Sequence, residues 1–406
     1  ADTDPRRVKT DDQPEALILN LSLHTLETNG VSQFQEQLMG VTAYGTRGDF
    51  FWQDPDMGGS WLREWGVEAV GIGSFDFPIN PSCRYNCSAV TVSHGHDITC
   101  PGPNFTEPVI REYFRDRSSN GPRPWFYSWP GLDAGEDYPS MLGKVIQTIA
   151  HAKAHPFVYL EYSLPGEMSG QGKLANCDPQ AGPPSNATLW GVAAAELLKL
   201  ARTADPNLRQ AHLTNEPNSR WFLRAPQQAQ AYATFFAEAA AQIKREIPDA
   251  ALGGPVLCWP PAESWGWLPL LMDAALPGGL LAFADFHAYG WPDNADTDPE
   301  GVNIVGQAHA IAAYAMTRHN KRLPIAITET NWGLRNLSDW LSRPVHMEQR
   351  TLRIARQILS MAAHPDKCLL RHTHDISANA GGLFVFRSDP PNPTMQLYKL
   401  MRPFRG

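Results

Sequence analysis

Gln210-Ala211-His212-Leu213-Thr214-Asn215-Glu216-Pro217-Asn218 is a short, partly apolar run that ends in Asn-Glu-Pro. It predicts a strand over 208–214 whose tip carries a carboxylic acid where the backbone turns into a proline. Pro324-Ile325-Ala326-Ile327-Thr328-Glu329-Thr330 has the same shape far downstream: an apolar strand, placed at 323–328, that again ends in a glutamate. Charged side chains seldom sit in buried strands unless a partner or a function holds them there. These two runs therefore frame the reading of the rest.

Apolar strands and amphipathic helices alternate on both sides of them. Ala16 to Ser22 reads as the first strand, Val67 to Phe75 as the second and Pro156 to Tyr162 as the third. Ala250 to Leu257 reads as the fifth, Leu281 to His287 as the sixth and Gly382 to Phe386 as the eighth. Helical spacing marks 138–155, 189–203, 225–247, 268–275, 305–318 and 347–363, with the end of an earlier helix at 60–65. Continuous rather than alternating apolar runs suit a parallel sheet covered on both faces. Eight such units in 406 residues point to an α/β fold of the (β/α)8 TIM-barrel type. An open doubly wound sheet is the alternative, but no G-x-G-x-x-G follows the first strand and no P-loop motif occurs. The whole chain, 1–406, reads as one catalytic domain. Long insertions after strands two and three, at 78–139 and 163–188, are expected to shape a cleft.

Composition narrows the function classes. With 43% hydrophobic and 19% charged residues the chain can bury a large core. A net charge of −8 speaks against a nucleic-acid partner, and no apolar run is long enough to span a membrane. The first residues, Ala1-Asp2-Thr3-Asp4-Pro5, have neither the charged nor the apolar region of a leader, so one has been removed or none was present. Sequons begin at Asn20, Asn86, Asn104, Asn186 and Asn336, and four of the six cysteines (Cys83, Cys87, Cys100, Cys177) lie in loop-like sequence. These features predict a secreted, glycosylated protein with disulfides; the sequence leaves the pairing open, with Cys83 to Cys87 or Cys100 and Cys177 to a loop partner as the options. Cys258 and Cys368, beside apolar strands, read as small buried side chains.

In a TIM barrel the C-terminal ends of the strands form the active face. Glutamates ending strands four and seven would face each other across it. Two carboxyl groups about 5–5.5 Å apart are what a retaining glycosidase needs, one as nucleophile and one as acid/base. Glu216 is expected to be neutral at rest and to protonate the leaving oxygen, and Glu329 to be ionised and attack the anomeric carbon. Thirteen tryptophans add a second signal. Trp259, Trp265, Trp267, Trp291 and Trp332 fall just past strand ends, where indole can stack on the C–H face of a sugar ring.

Asn215-Glu216-Pro217 on strand four, Thr328-Glu329-Thr330 on strand seven and Phe286-His287-Ala288-Tyr289 on strand six together resemble the clan A retaining glycoside hydrolases. The resemblance implies a (β/α)8 barrel, an acid/base Glu216, a nucleophile Glu329, and Asn215 on the sugar 2-hydroxyl. It also places His287 and Tyr289 near the nucleophile. The chain departs from that pattern at strand eight, where many members carry tryptophan. Here Phe386 takes part of that role and Arg387 meets a hydroxylated or anionic substrate. Asp76 after strand two is a further cleft candidate. So are His24 and Glu27 after strand one, and Glu161 and Glu167 around strand three.

Three rival readings remain. His94-Gly95-His96 and His372-Thr373-His374 have the His-X-His spacing of metal-dependent barrel hydrolases, but the first pair lies inside an insertion. A non-catalytic carbohydrate-binding protein would have no use for opposed carboxylates. A transglycosylase would share both glutamates. The expectation is a monomeric hydrolase acting on a poly- or oligosaccharide, with no metal and no organic cofactor.

Overall fold

A computed structural model describes residues 40–43, 54–72, 106–108, 110–111, 138–160, 186–218, 227–258, 266–288, 304–330, 344–364, 367–373 and 393–401. Eight parallel strands close into a barrel in sequence order. They are β1 (Gly40–Ala43), β2 (Ala69–Ile72), β3 (His155–Leu160), β4 (Gln210–Leu213), β5 (Ala251–Leu257), β6 (Phe283–His287), β7 (Ile325–Thr330) and β8 (Cys368–Thr373). β8 returns to pair with β1, Gly40 opposite His372. One described helix follows each strand: α1 (Pro55–Trp65), α2 (Tyr138–Ala152), α3 (Ala187–Arg202), α4 (Gln228–Glu246), α5 (Trp267–Ala275), α6 (Ile304–His319), α7 (Pro344–Ala362) and α8 (Pro393–Met401).

Local chemistry sets several boundaries. Asp54 caps α1 by accepting the Met57 amide at 3.0 Å, proline occupies the first turn, and Gly66 ends the helix in the left-handed region at φ 79°. Asn186, one of the sequons, caps α3 by accepting the Leu189 amide at 2.9 Å. The other four sequons lie outside the described residues.

Two apolar layers hold the barrel. Outward-facing strand residues such as Val158, Leu213, Leu252, Phe286 and Ile327 pack under the helices. Inside the barrel Phe157, Tyr159, Phe283 and Ala326 form a separate small cluster. Phe283 leaves no room beside it: a Cβ on Gly253 would lie 1.8 Å from its ring. Glycine at that point of β5 is thus a packing requirement.

The inner six strands stand where the sequence placed them, and the outer two do not. The first strand is Gly40–Ala43, not 16–22, and the eighth is Cys368–Thr373, not 382–386. Both expectations followed the most apolar run available. The strands used are a four-residue piece and one whose second half carries arginine and histidine. Segments 16–22 and 382–386 lie outside the described residues. So does most of 78–139 and nearly all of 163–188. Within the first of these, Arg111 bonds to Glu196 on α3 and Glu246 on α4 at 2.6 Å each. Cys258 is half-buried and Cys368 fully buried, and the four loop cysteines lie outside the described residues. Among the described residues no helix is long and apolar enough to cross a membrane.

Candidate active site

The tip of β4 is built by an unusual backbone. Thr214 and Glu216 both sit at positive φ, 69° and 48°, in a region that side-chain-bearing residues avoid. The surrounding strands hold the turn in place. The Thr214 amide donates to the Leu160 carbonyl of β3 at 2.8 Å, and the Glu216 amide donates to Val256 of β5 at 3.0 Å. Val256 is itself at φ 55°, beside a register shift in the β5–β6 pairing. Asn218 adds a side-chain tie, its Oδ1 accepting the Cys258 amide at 2.9 Å. Strain of about 1–3 kcal/mol per such residue persists only where the surroundings over-determine it, and it clusters at functional sites.

Glu329 lies inside β7 rather than beyond its end. It pairs in register with His287 of β6, next to another shift in the ladder, and the Ala288 amide donates to its carbonyl at 2.9 Å. Thr330 fixes the same corner by donating its hydroxyl to the Ala288 carbonyl at 2.8 Å. Irregularities of this kind at strand ends re-aim side chains. Here they bring three groups together. His287 Nδ1 is 3.1 Å from Glu216 Oε1 and 3.4 Å from Glu329 Oε2, and one oxygen of each carboxylate lies within 4.8 Å of the other. The glutamate side chains are 12% and 6% exposed, and His287 is fully buried.

Electrostatics follow from that packing. Burial alone would push the His287 imidazolium below its usual range. The charge of Glu329, the hydrogen bond and charge of Glu216, and the charge of Asp285 outweigh it and raise the ring to about 9. The ring therefore brings a proton to the trio at neutral pH, within hydrogen-bonding reach of Glu216. The three groups share one proton, and its seat is a property of the set.

Among the described residues, Glu216, His287 and Glu329 are also the group with metal-ligand spacing. The 3.1 Å contact between His287 and Glu216 is a hydrogen bond. Of the His-X-His pairs, His372 is a β8 residue, and His94, His96 and His374 lie outside the described residues.

A second polar layer lies beneath the first. His212 Nδ1 is 2.7 Å from Asp285 Oδ2, and the Thr328 hydroxyl donates to Asp285 Oδ1 at 2.5 Å. Tyr159 stacks on the His212 ring at 4.2 Å and donates its hydroxyl to the Thr328 carbonyl. All four side chains are fully buried. None was singled out from sequence. The available signal was a polar residue at an inward position of an otherwise apolar strand, as in Phe283-Ala284-Asp285-Phe286-His287.

Of the site residues expected from sequence, Glu216, His287 and Glu329 converge, and Asn215 is buried beside Glu216, 4% exposed. Asp76, Trp259, Tyr289, Trp332, Phe386 and Arg387 lie outside the described residues, as do His24, Glu27, Glu161, Glu167, Trp265 and Trp291. Because β8 ends at Thr373, Phe386 and Arg387 do not occupy its end. His24 and Glu27 likewise do not follow β1, which begins at Gly40. Trp267 is corrected too: it begins α5, is 9% exposed, and packs against Tyr232 with ring centroids 5.8 Å apart. Its indole belongs to the helical layer, not the cleft.

No family model matches the chain, and no curated protein matches it in sequence. Solved structures do. BuGH86 in complex with neoagarooctaose aligns over 91% of this chain and 59% of its own at 14% identity, TM-score 0.57. The GH39 enzyme from Xanthomonas axonopodis pv. citri aligns over 92% and 67% at 17% identity, TM-score 0.54. A monomeric beta-xylosidase from Caulobacter crescentus CB15 aligns over 92% and 69% at 13% identity, TM-score 0.53. The chain spans about three fifths of the first of these. At such identities the likeness establishes the fold, an α/β barrel that glycoside hydrolases also use.

Proposed function

We propose that this protein is a retaining β-glycoside hydrolase of the clan A type acting on a poly- or oligosaccharide. The observation that carries the reading is the approach of one oxygen of Glu216 to one of Glu329, within 4.8 Å, at the tips of β4 and β7. That spacing suits direct attack by one carboxylate. It leaves no room for the water that an inverting pair, about 6.5–9.5 Å apart, must hold between its carboxylates.

Glu329 attacks the anomeric carbon and forms a glycosyl ester as the C–O bond to the leaving group breaks. Glu216 delivers the shared proton to the leaving oxygen. His287, 3.1 Å from Glu216, is placed to relay that proton. Glu216 then removes a proton from water, which attacks the ester and restores Glu329. Asn215 is assigned to the sugar 2-hydroxyl next to the scissile bond. Tyr289 and Trp332, which closely follow β6 and β7 in sequence, are the candidate sugar contacts, with Asp76 and Trp259 after them. Secretion and glycosylation remain part of the proposal on the strength of the sequons and loop cysteines.

A panel of polysaccharides and aryl β-glycosides, followed by proton NMR of the first-formed product, tests the reading. Hydrolysis with retained anomeric configuration is expected, abolished in Glu329→Gln. Inverted product, or full activity in that variant, would reject it.

A further inference from the structure

We propose that Asp285 is a positioning residue that sets the separation of Glu216 and Glu329 by gripping the two strands that carry them. This rests on the glycosidase reading of the site above. Asp285 is on β6, two residues before His287 and facing the same way. One of its oxygens meets His212 on β4, four residues before Glu216, at 2.7 Å. The other accepts the hydroxyl of Thr328 on β7, the residue before Glu329, at 2.5 Å. The His212 contact reaches past β5, which presents Gly253 opposite both His212 and Phe283. Tyr159 completes the circuit from β3, stacked on His212 and bonded to the Thr328 carbonyl. Four strands are thus tied at the level just below the site.

Stability alone is a poor account of this layer. A fully buried carboxylate costs several kcal/mol to desolvate, and apolar residues of similar volume often do as well or better. Its charge also has a recipient. The groups that face His287 are Glu216 from β4, Glu329 from β7, Asp285 on its own strand, and His212 from β4. Burial drives His212 below the usual imidazole range despite Asp285. The neutral ring therefore donates Nδ1–H to Asp285. Asp285 is also among the groups whose field raises the His287 ring, so it acts on the site through geometry and through field.

Asp285→Asn keeps the shape and removes the charge, and Thr328→Val removes one tie and keeps the charge. Both are read by kcat and KM across pH and by NMR titration of the His287 ring with labelled histidine. Expected for Asp285→Asn is a loss of about 100-fold in kcat with little change in KM, and a ring titration lower by about one unit. Thr328→Val should lose kcat while the ring titrates as in the wild type. Wild-type kcat in both variants, or an unmoved ring in Asp285→Asn, overturns the proposal. If the wild type hydrolyses no glycoside, the glycosidase reading falls while the ring titration still decides the role of Asp285. Should Asp285→Asn not fold, the kcat of Thr328→Val decides it: a loss supports the tie, wild-type turnover refutes it.

Discussion

Raising the pH should remove the proton that Glu216, His287 and Glu329 share, and both activity and stability should report its loss. His287 moves from an ordinary 6.5 to about 9 on folding. A folded-state value above the unfolded one stabilises the fold in full below pH 6.5, and that contribution is lost as the pH rises through about 9. At about 1.4 kcal/mol per unit, the ring contributes about 3 kcal/mol in the acid plateau. The charge of Glu329 is the largest of the influences that raise it, so Glu329→Gln should reduce this dependence. Replacing both glutamates with glutamine should abolish it, because burial alone lowers the ring. Urea denaturation at about pH 6 and about pH 9.5, for the wild type and the double variant, isolates the effect from other titrating groups. The wild type should lose about 3 kcal/mol more than the variant across that interval. In the same range kcat/KM should fall along an alkaline limb near 9. Parallel stability curves for the two proteins would refute the charge assignment, and with it the proton relay.

Other perturbations give independent checks. Glu216→Ala should lose several orders of magnitude on natural glycosides but much less on aryl glycosides with good leaving groups, and added azide should restore turnover; uniform loss on both substrates would argue against the acid/base role. Gly253→Ala forces a methyl into the Phe283 ring and should lower stability by about 1–3 kcal/mol in chemical denaturation. Arg111 first, then Lys199 and Gln242, hold the Glu246 carboxyl near 2. Its contribution is present above about 4.5 and disappears as the pH falls through about 2, so Arg111→Met should flatten acid denaturation and cost about 2 kcal/mol at neutral pH after solvent screening.

The middle of the barrel was legible because its strands are bounded on both sides. β6 and β7 are short apolar runs that end in a polar residue, His287 and Thr330, and the helix after β4 is closed off by Pro248. β1 and β8 escaped because apolarity was the only signal followed. Gly40-Val41-Thr42-Ala43 holds a single large apolar residue, Val41, and Arg371 and His372 disguise β8. Partners are invisible for the same reason. His212, Asp285 and Thr328 are far apart in sequence, and nothing short of the closed barrel brings their hydrogen-bonding atoms together. Trp267 shows the converse error, since position after a strand does not say which face of the next helix an indole takes. The positive φ of Thr214 and Glu216 was equally hidden, because neither residue type favours that conformation. It follows from ties to β3 and β5.

The most direct test is covalent. A β-glycoside carrying fluorine at carbon two and an activated leaving group should enter the first step and stall in the second. Mass spectrometry of the digested protein should then find one fluoroglycosyl group on the peptide containing Glu329, and none in Glu329→Gln. Turnover of ordinary substrates by an enzyme that acquires the label elsewhere, or releases inverted sugar without acquiring it, would contradict the account.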